Sequence, residues 1–550
     1  MRQIFGLFGL VGTLTLLSAC GGGGGGTSNS TGTTGTPTES ASNTISGIVT
    51  YTSYKANNTN GLDYVSSQEN PIRGAVVELQ NASGTVLASG NTTETGSYSL
   101  SAPANTSVRV VVKAALGSPT TPDTQIVDNT SGSALYAMAM DVTSASSDIS
   151  QSFNAGSGWD GSRYSGTRTA APFAILDVIY QAQQLVKTVD SSASFPQLFV
   201  NWSVNNKPTP GDKAVGEIST SHYAADGQLY ILGAENSDTD EYDTHVIAHE
   251  WGHYFEAKFS RSDNIGGDHG TGDILDPTVA FGEGFGNALA GMVMNDPLYV
   301  DSAGISQATV SLSMNLEADS ILDGTTDITL GTGQTGTSLD GFYSESSVQE
   351  ILYDLYDSGA ADDDTVSGGF APIYSVLVNG QKNTKAFTSI FSFLYHLKQA
   401  YPSYSAGISS IALAENVNDG SEYEAASTPL YTTVPFDGTS VTIDVDGAVL
   451  QTWSTFGPIT ASNAGNKLYN LLYFKTTATA TGCYTLEATP TASEDIIIYA
   501  PNGVTIDQNN GGAESVPGTF TQGEEGVFAV GSYGGTSLFT VRLYSTPSSC

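Results

Sequence analysis

Residues 248–256 read AHEWGHYFE, which places His249 and His253 four positions apart with Glu250 directly after the first. Positions i and i+4 share one face of an α-helix, so on a helix both imidazoles reach one point while Glu250, a step around, stays close without joining them. Zinc chemistry wants that layout. Two neutral imidazoles and a third ligand hold the ion with one position open to water, and an adjacent carboxylate takes the water's proton. The competing reading is a polar stripe on an ordinary helix. With six histidines and twenty-one glutamates in 550 residues, random placement yields His-Glu-x-x-His about 0.002 times per chain, so chance explains it poorly and a third ligand becomes the question. Glu283, 30 residues after His253 within GEGFGNALAG, offers a carboxylate on the next segment of helical character. Gly282, Gly284 and Gly286 are costly in a helix, which points to close approach of backbone or metal. The plainer alternative for Glu283 is a charge at a helix N-terminus.

Helical periodicity is confined to the middle of the chain. AAPFAILDVIYQAQQLVKTV (170–189), the motif segment, PTVAFGEGFGNALAGMVM (277–294), SSVQEILYDLYD (346–357) and FTSIFSFLYHLKQA (387–400) read as helices, with strands at FPQLFVNWS and GQLYILG (227–233). The acidic run SDTDEYD before the motif suits the positive end of a helix. On either side lie short β-rich runs broken by turn signals: ISGIVTY, GAVVELQ, GSYSL and VRVVVKA before, CYTLEA, DIIIYA and LFTVRLY after. The expected fold class is therefore α+β, with a middle domain at 150–435 flanked by β-sandwich modules at 44–145 and 436–550.

Acidic residues outnumber basic ones by 55 to 18, a net charge of −37. Such a field repels phosphate backbones, so no nucleic-acid partner is expected. Arg2 precedes an apolar run from Ile4 to Leu17, too short for a permanent span but suited to a secretory signal, and the run ends in Leu17-Ser18-Ala19-Cys20. That ending resembles a bacterial lipobox. The resemblance implies a signal peptide at 1–20, lipidation of Cys20, and a membrane-anchored, exported protein, with Gly21 rather than Asp favouring the bacterial outer membrane or cell surface. Residues 21–43, rich in Gly, Ser and Thr, read as a flexible tether. Cys483 and Cys550 are the remaining cysteines, and in an exported chain the default for such a pair is a disulfide.

AHEWGHYFE followed by GEGFGNALA resembles the gluzincin metallopeptidases, the thermolysin and fungalysin kind. The resemblance implies a zincin-like catalytic domain, zinc ligands His249, His253 and Glu283, Glu250 as general base, and GQLYILG lying along the cleft with its edge paired to an extended peptide or protein substrate. ISGIVTY, PIRGAVVELQ and TTETGSYSLSAP likewise resemble the transthyretin-like modules of secreted peptidases.

One departure concerns the partner of the first histidine. Gluzincins commonly carry an aspartate four residues after the ligand glutamate. Here that position is Asn287, which orients a ring but brings no charge unless an acid such as Asp243 stands in. The oxyanion donor is open, with His269, Tyr343 and Tyr254 as candidates. His245 supports the site or is merely buried, while His222 and His396 read as structural. Asp263, Asp268, Asp273 and Asp276, and also Asp362 to Asp364, are Ca²⁺ candidates against the plainer reading of solvated acidic loops. The expectation is a membrane-tethered zinc metallopeptidase. Its alternatives are a zincin-fold surface-binding lipoprotein without turnover and a zinc hydrolase of non-peptide amides.

Overall fold

Alternation in SNTISGIVTYTS makes the strand Ser42–Ser53 bury Ile45, Val49 and Tyr51 on one side. It pairs antiparallel with Ser97–Pro103 and Gln68–Pro71. A second, four-stranded sheet combines Val76–Gln80, Val86–Asn91, Ser107–Lys113 and Ala137–Thr143. The computed structural model describes residues 42–550 apart from 144–146, 271, 318–339, 358–365, 419, 445–464, 491–494, 509–510, 533–537 and 548–549. Cys20, nearly all of the expected tether and Asp362 to Asp364 lie outside the described residues. No helix among those described is long and apolar enough to cross a membrane.

The fold is mixed α+β, but the first boundary expected from sequence does not hold. Ser42 and Asn43, placed in the tether, already belong to the first strand. The segments Ala115–Ser118, Thr121–Asp128 and Ala134–Leu135 then leave the N-terminal strands for a six-stranded sheet, where Thr121–Asp128 runs parallel to Leu198–Trp202. The chain afterwards returns, and Ile149–Ser150 and Phe153–Ala155 pair with Ser42–Ser53. The reason is shared burial: one apolar core runs from Ile45 to Leu468 through both regions. Arg73 reinforces the seam by gripping Asp177 with two bonds of 2.6 and 2.7 Å.

Helix α1 is Ala171–Val189, with Pro172 in its first turn, where no donor is lost. Helices α2 (Thr244–Phe259), α3 (Pro277–Met294) and α4 (Glu345–Asp354) follow at the expected positions, and α6 (Ile390–Ala400) begins three residues late at a capping box on Ser389. The periodicity missed α5 (Phe370–Ser375) and α7 (Ser405–Ala414), along with the hairpin of Leu298–Ala303 and Thr309–Asn315.

The strand inside GQLYILG, Leu229–Ile231, has no free edge. Leu198–Trp202 flanks it on one side and His222–Tyr223 on the other, because the chain folds back through a turn at 224–227. The outer strand on that side of the sheet is His222–Tyr223, and Ala134–Leu135 ends the other side.

After α7 the chain forms two sheets. Tyr431–Thr433, Leu471–Thr477, Ile496–Ala500, Val504–Ile506 and Glu525–Ser532 make one, and Val441–Asp444, Gly482–Pro490, Glu514–Phe520 and Leu538–Ser545 the other. Phe474, Ile498 and Val530 from the first share a core with Leu486, Val541 and Leu543 from the second, so the two face each other. Cys483 and Cys550 are disulfide-bonded, with Cα atoms 5.8 Å apart.

Candidate metal centre

Helices α2 and α3 pass close to each other at two glycines. A Cβ added at Gly252 would lie 3.2 Å from the Cα of Gly286, and one added at Gly286 would lie 2.8 Å from the His249 ring. Any larger residue at 286 would displace that imidazole, which explains a glycine where helix propensity disfavours one. The crossing turns His249 and His253 of α2 toward Glu283 of α3. The two Nε2 atoms are 3.0 Å apart, and Glu283 Oε2 lies 3.3 Å from each. All three groups are largely buried. Zn²⁺ held tetrahedrally at about 2.0–2.1 Å spaces its ligands about 3.3–3.4 Å apart, so two imidazole nitrogens and one carboxylate oxygen at these separations fit that ion.

Further side chains hold the three in place. Asn264 Nδ2 donates to Glu283 Oε1 at 2.9 Å, leaving Oε2 to face the histidines. Asn287 Oδ1 lies 2.7 Å from His249 Nδ1, and its Nδ2 donates to Gln349 Oε1 at 2.9 Å. An acceptor at Nδ1 places the ring proton there and frees Nε2 for a metal. Asp243 does not stand in as the charged partner, since its carboxylate is taken by the Ser302 N–H and hydroxyl, at 3.1 and 2.7 Å. Glu250 Oε2 accepts the Tyr223 N–H at 2.7 Å, which ties the motif glutamate to the outer strand.

The charges of these groups are set by one another. Burial alone would raise the Glu283 carboxyl, but His253, His249 and His269 hold it well below the usual range. Burial acts to lower His253, yet Glu283 outweighs it and carries that imidazole to about 9. His269 is drawn to the same carboxylate, its Nε2 3.5 Å from Glu283 Oε2 and 3.7 Å from Glu345 Oε2. Against burial, the two acids raise His269 to about 10.

The other candidates bond to groups outside the three ligands. Tyr343 donates to the Asp340 carbonyl within its own loop (3.3 Å), and Tyr254 to the Pro196 carbonyl. His245 is buried against the Asp296 carbonyl at 2.9 Å, His222 bonds the Thr220 carbonyl at 2.7 Å, and His396 lies 3.7 Å from Glu422. The loop aspartates do not gather into a calcium site. Asp263 receives Arg261 and the Thr388 and Asn502 amides, Asp273 receives Lys467, and Asp276 caps α3 and accepts from Tyr473. Each of these three carboxylates already receives a donor. Asn264, Glu345 and Gln349 carried no spacing signal, because each reaches the centre through tertiary packing alone. A cavity of about 230 Å³ between Asp263, Asn264 and the C-terminal strands at Tyr473 and Tyr499 adjoins this region, but His249 and His253 do not line it.

No family model matches the sequence, and no curated protein matches it. Among solved structures, the pre-peptidase C-terminal domain of a Bacillus anthracis collagenase is 7% identical, covering 20% of this chain and 93% of that one with a TM-score of 0.14. A Paenibacillus cycloisomaltooligosaccharide glucanotransferase is 8% identical, covering 90% of this chain and 72% of that one with a TM-score of 0.11. Scores at that level carry no argument about fold or activity, so the functional reading rests on the site itself.

Proposed function

We propose that this protein is a zinc metallopeptidase of gluzincin type, exported and lipid-anchored through Cys20. The observation that carries the reading is the convergence of His249, His253 and Glu283 within 4.8 Å, with Glu250 beside them on α2. An ion held by His249, His253 and Glu283 would supply Lewis acidity and lower the pKa of the attacking water. Glu250 accepts the attacking water's proton at its carboxylate and returns it to the leaving amine, while its Oε2 stays anchored on the Tyr223 amide. Asn287 keeps the His249 proton on Nδ1. His269, whose Nε2 lies 3.5 Å from Glu283 Oε2, is the candidate donor to a developing oxyanion. The peptide substrate runs along the outer strand His222–Tyr223 rather than along 229–231.

A second reading draws on the same histidine: if His269 closes the site as a fourth ligand, the metal is structural and the protein binds at the surface without turnover. Metal-loaded full chain incubated with a mixed-peptide library separates the two. Cleavage that a chelator stops and Glu250→Gln abolishes, with metal content unchanged, supports the peptidase. A metal-replete protein that cuts nothing supports the binder.

A further inference from the structure

The acidic run ahead of α2 does more than complement a helix end. Asp238, Asp240 and Asp301 each bring one carboxylate oxygen to within 4.8 Å of the other two. Strand pairing causes this, because Asp238 sits opposite Ala303 and draws the strand Leu298–Ala303 alongside. Asp240 is 3% exposed. Its Oδ2 accepts from the Ser221 hydroxyl, but its Oδ1 is buried with no donor, and so are the Oδ1 atoms of Asp238 and Asp301. The charged groups acting most strongly on Asp240 are Asp238, Asp301 and Asp243, all acidic. Buried acceptors without donors carry their full desolvation penalty, and three in one cluster of like charge call for a cation.

We propose that Asp238, Asp240 and Asp301 bind Ca²⁺. The donor set is all carboxylate, which suits a hard cation rather than zinc. Oxygens at about 2.3–2.6 Å from Ca²⁺ lie up to about 5 Å from one another, which accommodates the observed spread. Asp238 and Asp301 are half-buried, so the outer side admits the waters that complete the coordination shell. The ion pins the strand Leu298–Ala303 to the segment that opens α2, since the Asp240 carbonyl accepts the Asp243 N–H at 3.0 Å immediately before the helix. It thereby steadies the helix that carries His249 and His253 without touching either, and the proposal does not depend on hydrolytic activity.

The test follows the melting temperature of the full chain, stripped of divalent ions and titrated with CaCl₂ at pH 8, with Tb³⁺ luminescence excited through tyrosine as a direct reading of occupancy. The expected result is a saturable rise of about 2–3 °C at a hundredfold excess over Kd. That rise is lost in Asp240→Asn and Asp301→Asn and kept in His249→Ala, which separates this site from the zinc centre. Should the buried Asp240→Asn fail to fold, Asp301→Asn at the half-exposed rim carries the comparison. The proposal is overturned by a wild-type melting temperature indifferent to Ca²⁺ with no Tb³⁺ signal, by an undiminished rise in Asp301→Asn, or by a larger rise with Mg²⁺. The first of these, joined to higher melting temperatures in both substitutions, means that the carboxylates share protons instead.

Discussion

Asn287 accepts the Nδ1 proton of His249 through an amide oxygen 2.7 Å away, and its own amide group is fixed by Gln349. The site thus has a neutral, oriented acceptor where a carboxylate would add charge. Asn287→Ala removes the acceptor and lets the ring choose its tautomer, so zinc affinity is expected to fall about 10–100-fold. Asn287→Asp keeps the geometry and adds charge, and it is expected to match or exceed the wild type. Competition with a calibrated zinc chelator measures both, and equal affinities for all three proteins would remove the role given to Asn287.

His269 and Glu345 offer a sharper kinetic test. Glu345 is raised by burial, although the neighbouring His269 works against it. If His269 donates to the oxyanion, His269→Ala lowers kcat by about 10²–10³ and leaves KM and zinc content nearly unchanged. If it is a fourth ligand, zinc content falls and peptide turnover, where any exists, rises. Glu345→Gln weakens the hold on His269 and is expected to move its titration downward, which histidine NMR reads directly.

How much of this was legible in the sequence varies by element. The i, i+4 histidines and the run around Glu283 were readable because helix geometry alone brings the first pair together, and a glycine such as Gly286 marks the contact that admits the His249 ring. The order of the helices was readable for the same reason. The interleaving of Thr121–Asp128 into the middle sheet was not, since a parallel pairing between residues about 75 positions apart leaves no local pattern. Asn264 and Glu345 were hidden likewise, being polar residues in loops or helix starts whose partners are distant in the chain. The acidic run misled in part. Its charge suited a helix end, but the side chain of Asp243 turned to Ser302 and those of Asp238 and Asp240 to Asp301.

Arg168 anchors the segment that feeds α2. Its guanidinium donates to the Gly233 carbonyl and Thr239, pairs with Glu241, and lies over the Tyr164 ring at 4.2 Å, all in a buried setting. Arg168→Met strands the Glu241 carboxylate without a cation and is expected to cost about 3–5 kcal/mol. Pairing it with Glu241→Gln should recover most of that loss. Urea unfolding of the single and double variants provides the measurement, and a single variant as stable as the wild type would show that the pair does not hold this segment.

Asp276 links the C-terminal strands to α3, the helix that carries Glu283, and gives stability a pH dependence. It is fully buried, accepts the Thr278 N–H at 2.9 Å as the cap of α3, and accepts the Tyr473 hydroxyl at 2.7 Å. Burial raises its carboxyl from 3.8 to about 6, with the bonds from Thr278 and Tyr473 opposing the shift. A carboxyl raised in the folded state favours the folded protein in its protonated form. Its contribution is therefore complete below about pH 4 and lost as pH rises through about 6, an effect of about 2–3 kcal/mol. Asp276→Asn keeps an oxygen for the Thr278 amide and cannot ionise. Its stability relative to wild type should rise by about that amount between pH 4 and pH 7.5, read from urea midpoints at the two values. A parallel pH response in the two proteins would mean that the Asp276 carboxyl is not raised by its burial between α3 and Tyr473.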